Sequence, residues 1–99
     1  MKKQKFFARF NKGIIAVYGY IFADDNRLFI QSKSMNKDFN YFALVDIKTG
    51  LAVCKADTKK ELIQKYELIK PLYEAIGDTD KRYINAINIL NELLKGVIV

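Results

Sequence analysis

Hydrophobic and polar positions change their period once along this chain. Up to residue 56 apolar side chains run together or alternate in twos, and from residue 57 onward they recur every three or four positions. The first pattern predicts strands and the second predicts helices. Residues 14–23, I-I-A-V-Y-G-Y-I-F-A, are rich in β-branched and aromatic side chains and lack a polar helical face, which predicts a strand buried on both sides for much of its length. Asp24-Asp25-Asn26 follows, and these residue types tolerate the left-handed backbone of a hairpin loop. Residues 27–33 then alternate, with Leu28 and Ile30 on one face and Arg27, Phe29, Gln31 and Lys33 on the other. That predicts a half-buried strand antiparallel to its predecessor.

Residues 34–38 are polar and read as a loop. In residues 39–48 Tyr41, Ala43, Val45 and Ile47 face one way, and Phe42, Leu44, Asp46 and Lys48 the other. Lys48-Thr49-Gly50 is a turn with glycine where positive φ is needed, and residues 51–56 return as a fourth strand. On it, Ala52, Cys54 and Ala56 form a small-residue face suited to packing under a helix, with Cys54 as a buried, inert thiol. Residues 5–10 alternate briefly and add an edge strand.

Thr58 with Glu61 three residues later is a capping box, so a helix starts just after Thr58. Its stripe is Leu62, Tyr66, Ile69 and Tyr73, widened by Ile63. Pro71 disfavours helical geometry at Lys70, which predicts either a kink or a stop followed by a short turn ending at Gly77. Asp78-Thr79-Asp80 can cap a last helix with Ile84, Ile87, Leu90 and Leu94 inward and Ala86 and Leu93 beside them. Gly96 is the expected C-terminal cap, leaving Val97-Ile98-Val99 as an apolar tail that should dock. The fold class is α+β: a four- to five-stranded antiparallel sheet of tandem hairpins followed by two C-terminal helices packed on one face, all in one domain spanning residues 1–99.

Composition changes this picture in two ways. There is no histidine, which removes the usual general base, the usual activator of a Ser or Cys nucleophile and the commonest transition-metal ligand. Zinc sites of the Cys/His type are excluded by count, since Cys54 stands alone. Cys54 likewise has no partner for an internal disulfide, and no apolar run reaches the roughly 18 residues of a spanning helix, so a cytoplasmic protein without a cofactor is expected.

Charge is unevenly spread. The first sixty residues hold twelve Lys and Arg against five Asp and Glu, and ten of the thirteen aromatic rings; the remainder holds five against six. Basic groups interleaved with rings suit a surface that holds phosphates and stacks on bases. Two constellations stand out. Arg27, Phe29 and Lys33 share a strand face and offer a ring among cations, although the same ring fits a sheet core. Lys2, Lys3, Lys5, Arg9 and Lys12, with Phe6, Phe7 and Phe10 between them, form a basic arm that serves equally as an edge strand with a solvated outer face. Lys59 and Lys60 at a helix start also attract anions, but Asp57 and Glu61 compete there, and a plain cap accounts for them. Asp46 with Asp57-Thr58-Lys59 is similar to the two carboxylates and lysine of metal-dependent nucleases, yet Lys59 falls on a helix and Asp57 beside the cap, so no catalytic site is expected.

Residues 46–62, D-I-K-T-G-L-A-V-C-K-A-D-T-K-K-E-L, resemble a pattern in small uncharacterised proteins of Gram-positive phages and mobile elements: a Thr-Gly hairpin and then a Thr-Lys-Lys-Glu helix start. The resemblance implies a small accessory or inhibitor protein that acts by binding and brings no catalytic residues. The leading expectation is a non-enzymatic binding protein whose basic sheet half contacts nucleic acid or a nucleoprotein. The alternative is a phage or mobile-element inhibitor, for example anti-CRISPR-like, that meets an acidic protein surface; a homodimer is compatible with either.

Overall fold

Turn chemistry at Asp25 and Gly50 and capping at Thr58 divide the chain into its elements. The computed structural model describes residues 2–10, 13–77 and 80–98, with residues 97 and 98 described by backbone alone. Five strands form one antiparallel sheet in chain order: β1 (Gln4–Phe10), β2 (Gly13–Ile21), β3 (Leu28–Gln31), β4 (Phe42–Asp46) and β5 (Ala52–Ala56). Helices α1 (Lys59–Ala75) and α2 (Lys81–Ile98) follow. The α+β reading of tandem hairpins and two C-terminal helices holds, and the residue 5–10 alternation is a full edge strand. No helix among the described residues is long and apolar enough to cross a membrane.

Strand alternation sorts the apolar side chains into two cores. On one sheet face Tyr20, Phe22, Leu28, Ile30 and Leu44 pack against Leu62, Tyr66 and Tyr73 of α1. On the other, Ala8, Val17, Phe29, Ala43 and Val45 gather with Phe6, Phe39 and Tyr41. That second face is dry because the sheet curls. The Arg9 N–H donates to the Gly50 carbonyl at 2.7 Å, tying the free edge of β1 to the β4–β5 turn. Curling gives the concave face its own core, so all four residues of β3 are buried and the expected half-buried strand is corrected.

Local details depart from simple alternation. A register shift lies between Leu44 and Val45: Leu44 faces Cys54, whereas Val45 faces Ala52. Val53 is therefore an extra residue in β5, a bulge that sends Ala52 to the concave side and leaves Cys54 and Ala56 under α1. The expected Ala52, Cys54, Ala56 face is split by it. Residues 32 and 33 leave the sheet, and Lys33–Met35 form a 3-10 turn.

Thr58 Oγ1 accepts from the Glu61 N–H at 3.2 Å, as a capping box requires. The helix does not stop at Pro71 but continues to Ala75. Asp80 Oδ1 accepts from the Arg82 N–H at 2.8 Å and begins α2, while Asp78 and Thr79 lie outside the described residues. Gly96 does not end α2, which runs on to Ile98; Gly50, at φ 72°, is the only described glycine with positive φ. A side chain at Gly96 would meet nothing, and no tight turn follows that needs a left-handed residue there. The expected docking of the tail falls on side chains outside the described residues. Leu90 is the buried anchor of α2, seated against Gly50, whereas Ile84 stays 40% exposed.

Candidate nucleic-acid interface

The pairing of β2 with β3 covers only Gly19, Tyr20 and Ile21, so the earlier half of that β2 edge has no neighbouring strand. Asn36 closes part of the gap. Its Oδ1 accepts from the Tyr18 N–H at 2.9 Å, and its Nδ2 donates to the Tyr18 carbonyl at 2.8 Å and the Ser32 carbonyl at 2.6 Å. One amide side chain thus takes the place of a strand residue and holds the segment carrying Lys33 and Lys37 beside β2. A groove of about 380 Å³ remains between that segment and the β2 edge, lined among others by Lys3, Ala16, Tyr18, Lys37, Asp38 and Phe39.

Tyr18 lines this groove. The residue is 39% exposed, and Lys3 Nζ lies 4.7 Å from its ring centroid. Lys5, opposite Tyr18 in register, sets its ammonium 5.5 Å from the Phe7 ring. Lys2, Lys33 and Lys37 are exposed. A lysine ammonium held over a ring is attracted to its π-face, and an exposed ring presents such a face to a ligand. The arrangement can bind phosphate oxygens and stack on a planar group.

The sequence-predicted residues separate into groups. Lys3 lines the groove and lies over Tyr18, Lys5 stands opposite Tyr18 in register, and Lys2 and Lys33 are exposed. Lys12 lies outside the described residues. Arg9, opposite Ile14, alternates with the core residue Ala8 and so shares the sheet face of Lys5 and Phe7, with its Nε buried and without a hydrogen-bond partner. Phe29 is fully buried and stacked on Phe6, with centroids 4.1 Å apart and planes 4° from parallel. Of the two readings of this ring the sheet core holds, and Phe29 is corrected as a binding residue: the curl of the sheet turns that face into core. Arg27 is occupied elsewhere. Its Nε and second guanidinium nitrogen reach Asp25 at 2.8 and 2.5 Å, and its head stacks on Tyr73 at 4.5 Å.

That pair opens a polar network on the α1 side. The Arg27 guanidinium beside Asp25, against the opposing effect of burial, holds the carboxyl down to about 2, and the same bond raises Arg27. The Tyr66 hydroxyl donates to Asp25 Oδ2 at 3.0 Å; burial, aided by that bond, pushes Tyr66 up to about 12. The Tyr73 hydroxyl donates to Asp46 Oδ2, and its pKa is raised by burial first and by Asp46 second. Asp46, 2% exposed, also accepts from Tyr83 at 3.1 Å and from the Thr49 N–H at 3.0 Å. An apolar cleft of about 330 Å³ opens beside it between α1 and α2. With two phenols and an amide on its oxygens, Asp46 ties β4 to both helices, far from a nuclease-like pairing with Lys59, whose ammonium lies over Tyr20 at 5.2 Å. Among the described residues no three Cys, Asp or Glu converge as metal ligands, and burial raises the Cys54 thiol.

Tyr18, Lys37 and Asn36 were not singled out by sequence reasoning. Tyr18 sits in an apolar run with no mark of exposure, and the role of Asn36 exists only once residues 18 and 36 meet. Comparison with protein-family models, curated proteins and solved structures finds no match.

Proposed function

We propose that this protein binds single-stranded nucleic acid along the β2 edge, with Tyr18 as the stacking ring and Lys3 and Lys37 on the phosphates. The observation that carries the reading is the exposed Tyr18 ring with Lys3 over it in a groove shared with Lys37. Lys2, Lys5 and Lys33 extend the positive surface, and the formal charge of +6 favours a polyanion over the whole molecule. A base stacking on Tyr18 displaces the Lys3 ammonium towards the adjoining phosphate, so both groups keep a partner.

Titration of a labelled single-stranded oligonucleotide at several salt concentrations tests this. Affinity should fall with salt with a log-log slope of about −0.7 per contacted phosphate. Lys3→Glu and Lys37→Glu should each weaken binding and flatten the slope by at least about one such contact. Tyr18→Ala keeps the backbone bonds to Asn36 and should cost about 1–3 kcal/mol of affinity with little change in slope. Absence of binding at physiological salt, or a slope indifferent to both lysines, would refute it.

A second reading rests on the same edge. Ile14 and Ala16 share the parity of Tyr18, so their backbone groups point away from β1 towards the open side, where an extended segment of an acidic protein can add as a strand. The chain would then act as a mobile-element inhibitor. One acidic partner bound tightly, with only indiscriminate attraction to oligonucleotides, distinguishes this reading.

A further inference from the structure

Helix α1 carries apolar side chains on a face that nothing among the described residues covers. Leu62, Tyr66 and Tyr73 are buried against the sheet, whereas Leu68 and Leu72 are 80% and 72% exposed. Four residues apart, they stand one above the other, and Ile76, also exposed, continues the stripe about a third of a turn round from the core face. A single exposed leucine means little, but a row of three large aliphatic groups is a patch that a monomer rarely keeps. Lys65 lies on the same flank and donates from Nζ to the Lys55 carbonyl at 2.7 Å, so this flank borders β5, the last strand of the sheet. Ile76 also lines the apolar cleft of about 330 Å³ between the helices, with the exposed Leu51 on its wall. The molecule therefore presents an apolar ridge and an apolar hollow side by side.

We propose that a second copy of this chain docks on this face, the two α1 helices lying antiparallel about a two-fold axis at Leu72. Leu72 then meets its own equivalent, and Leu68 of each copy reaches the partner's Ile76 at the mouth of the cleft, because positions equally spaced on either side of the axis face each other. Charge favours this occupant and this direction. The first sixty residues, with twelve basic against five acidic groups, repel another copy; residues 61–99 hold five against six, so two chains of charge +6 approach each other through their helical halves with least repulsion. Glu61 is exposed on the same stripe two turns before Leu68, and Arg82, its side chain nearly fully exposed, stands at the cleft. Antiparallel docking carries the partner's Glu61 towards Arg82, whereas parallel docking sets like charges together. The Tyr18 groove shares no lining residue with the cleft or the stripe, so this inference stands apart from the nucleic-acid reading.

Sedimentation equilibrium of the full chain, from about 1 μM to about 1 mM, should show a monomer–dimer equilibrium. Leu68→Glu and Leu72→Glu should each weaken dimerisation about tenfold or more, since symmetry removes every contact twice. Both positions are solvated in the monomer, so the urea midpoint read at the dilute end should stay at the wild-type value. Disulfide trapping in a Cys54→Ser chain reads the register. Leu72→Cys should trap itself as a covalent dimer, and Leu68→Cys mixed with Ile76→Cys should cross-link to each other more than either does alone, because helices packed about 8–10 Å apart bring facing Cα atoms into disulfide range. A chain that stays monomeric to the top of the range overturns the proposal and leaves the ridge to a different partner. A dimer that both glutamate variants leave intact overturns it as well, by placing the contact on another face. Leu68→Cys that cross-links to itself in preference to Ile76→Cys overturns the antiparallel arrangement about Leu72.

Discussion

Asp25 shows how much one turn residue can carry. The hairpin loop needs a side chain that accepts from its own backbone, and Asp25 accepts from the Arg27 N–H at 3.1 Å while also holding the guanidinium and the Tyr66 hydroxyl. Its folded pKa of about 2 lies below the ordinary 3.8, so its contribution to stability is fully present above pH 4 and is lost as pH falls through 2. With Arg27 41% exposed, solvent screening reduces that contribution to about 1–2 kcal/mol. Urea unfolding from pH 7 to pH 2 should show Asp25→Asn losing stability at neutral pH and converging on the wild type at the acid end; parallel curves would place the acid sensitivity in another carboxylate. Gly19 is a second position where one residue decides. A Cβ built there would lie 1.8 Å from the Ile30 carbonyl oxygen, and that atom is backbone and cannot yield. Gly19→Ala should therefore cost about 3 kcal/mol or more in denaturant unfolding, far above an ordinary surface change. The sequence offered G-Y-I-F with no sign that this glycine, rather than another, was obligatory.

At the scale of elements, what was legible followed from local chemistry. Thr58 and Glu61 mark the start of α1, Gly50 marks the β4–β5 turn, and the alternation of Tyr41, Ala43 and Val45 against Phe42 and Leu44 matches the two cores residue for residue. What was not legible depended on partners distant in sequence. The Val53 bulge, the Asn36 plug and the burial of Phe29 arise where the curled sheet meets itself, and no local window contains both halves of those contacts. The site divides the same way: Lys3 and Lys5 were visible as charge, whereas Tyr18 became a site residue only when β3 left its edge free. Pro71 is the clearest conflict between local preference and fold. It sits inside α1 on an exposed turn, without the N–H that would bond the Glu67 carbonyl. Pro71→Ala restores that bond and should stabilise the protein by about 1–3 kcal/mol, raising the denaturation midpoint at unchanged slope. A loss of stability would mean that the proline sets the direction of the last turn, which places Tyr73 on Asp46.

Three parts of the molecule meet at Gly50. The β4–β5 turn bends there with positive φ, the β1 edge bonds its carbonyl through Arg9 N–H, and α2 sets Leu90 against it. Closure of the curled sheet and docking of the last helix thus share a residue without a side chain. A methyl at this point would lie 3.2 Å from the Arg9 nitrogen and 3.2 Å from Leu90 Cδ1, in addition to the strain of a left-handed backbone. Gly50→Ala should therefore cost more than the roughly 1 kcal/mol of the φ penalty alone, and Leu90→Ala, which empties a site only 4% exposed, about 2–5 kcal/mol. The two are not independent. Removing the Leu90 methyls opens the space that the methyl of Gly50→Ala needs on the helix side, so the double variant should be less destabilised than the sum of the singles by about 0.5–2 kcal/mol. Hydrogen exchange gives the complementary view: in Gly50→Ala the Arg9 amide should lose protection, while amides in the middle of β4 keep theirs. Strict additivity, with the Arg9 amide still protected, would mean that β1 and α2 are held by other contacts and that closure of the sheet does not pass through this turn.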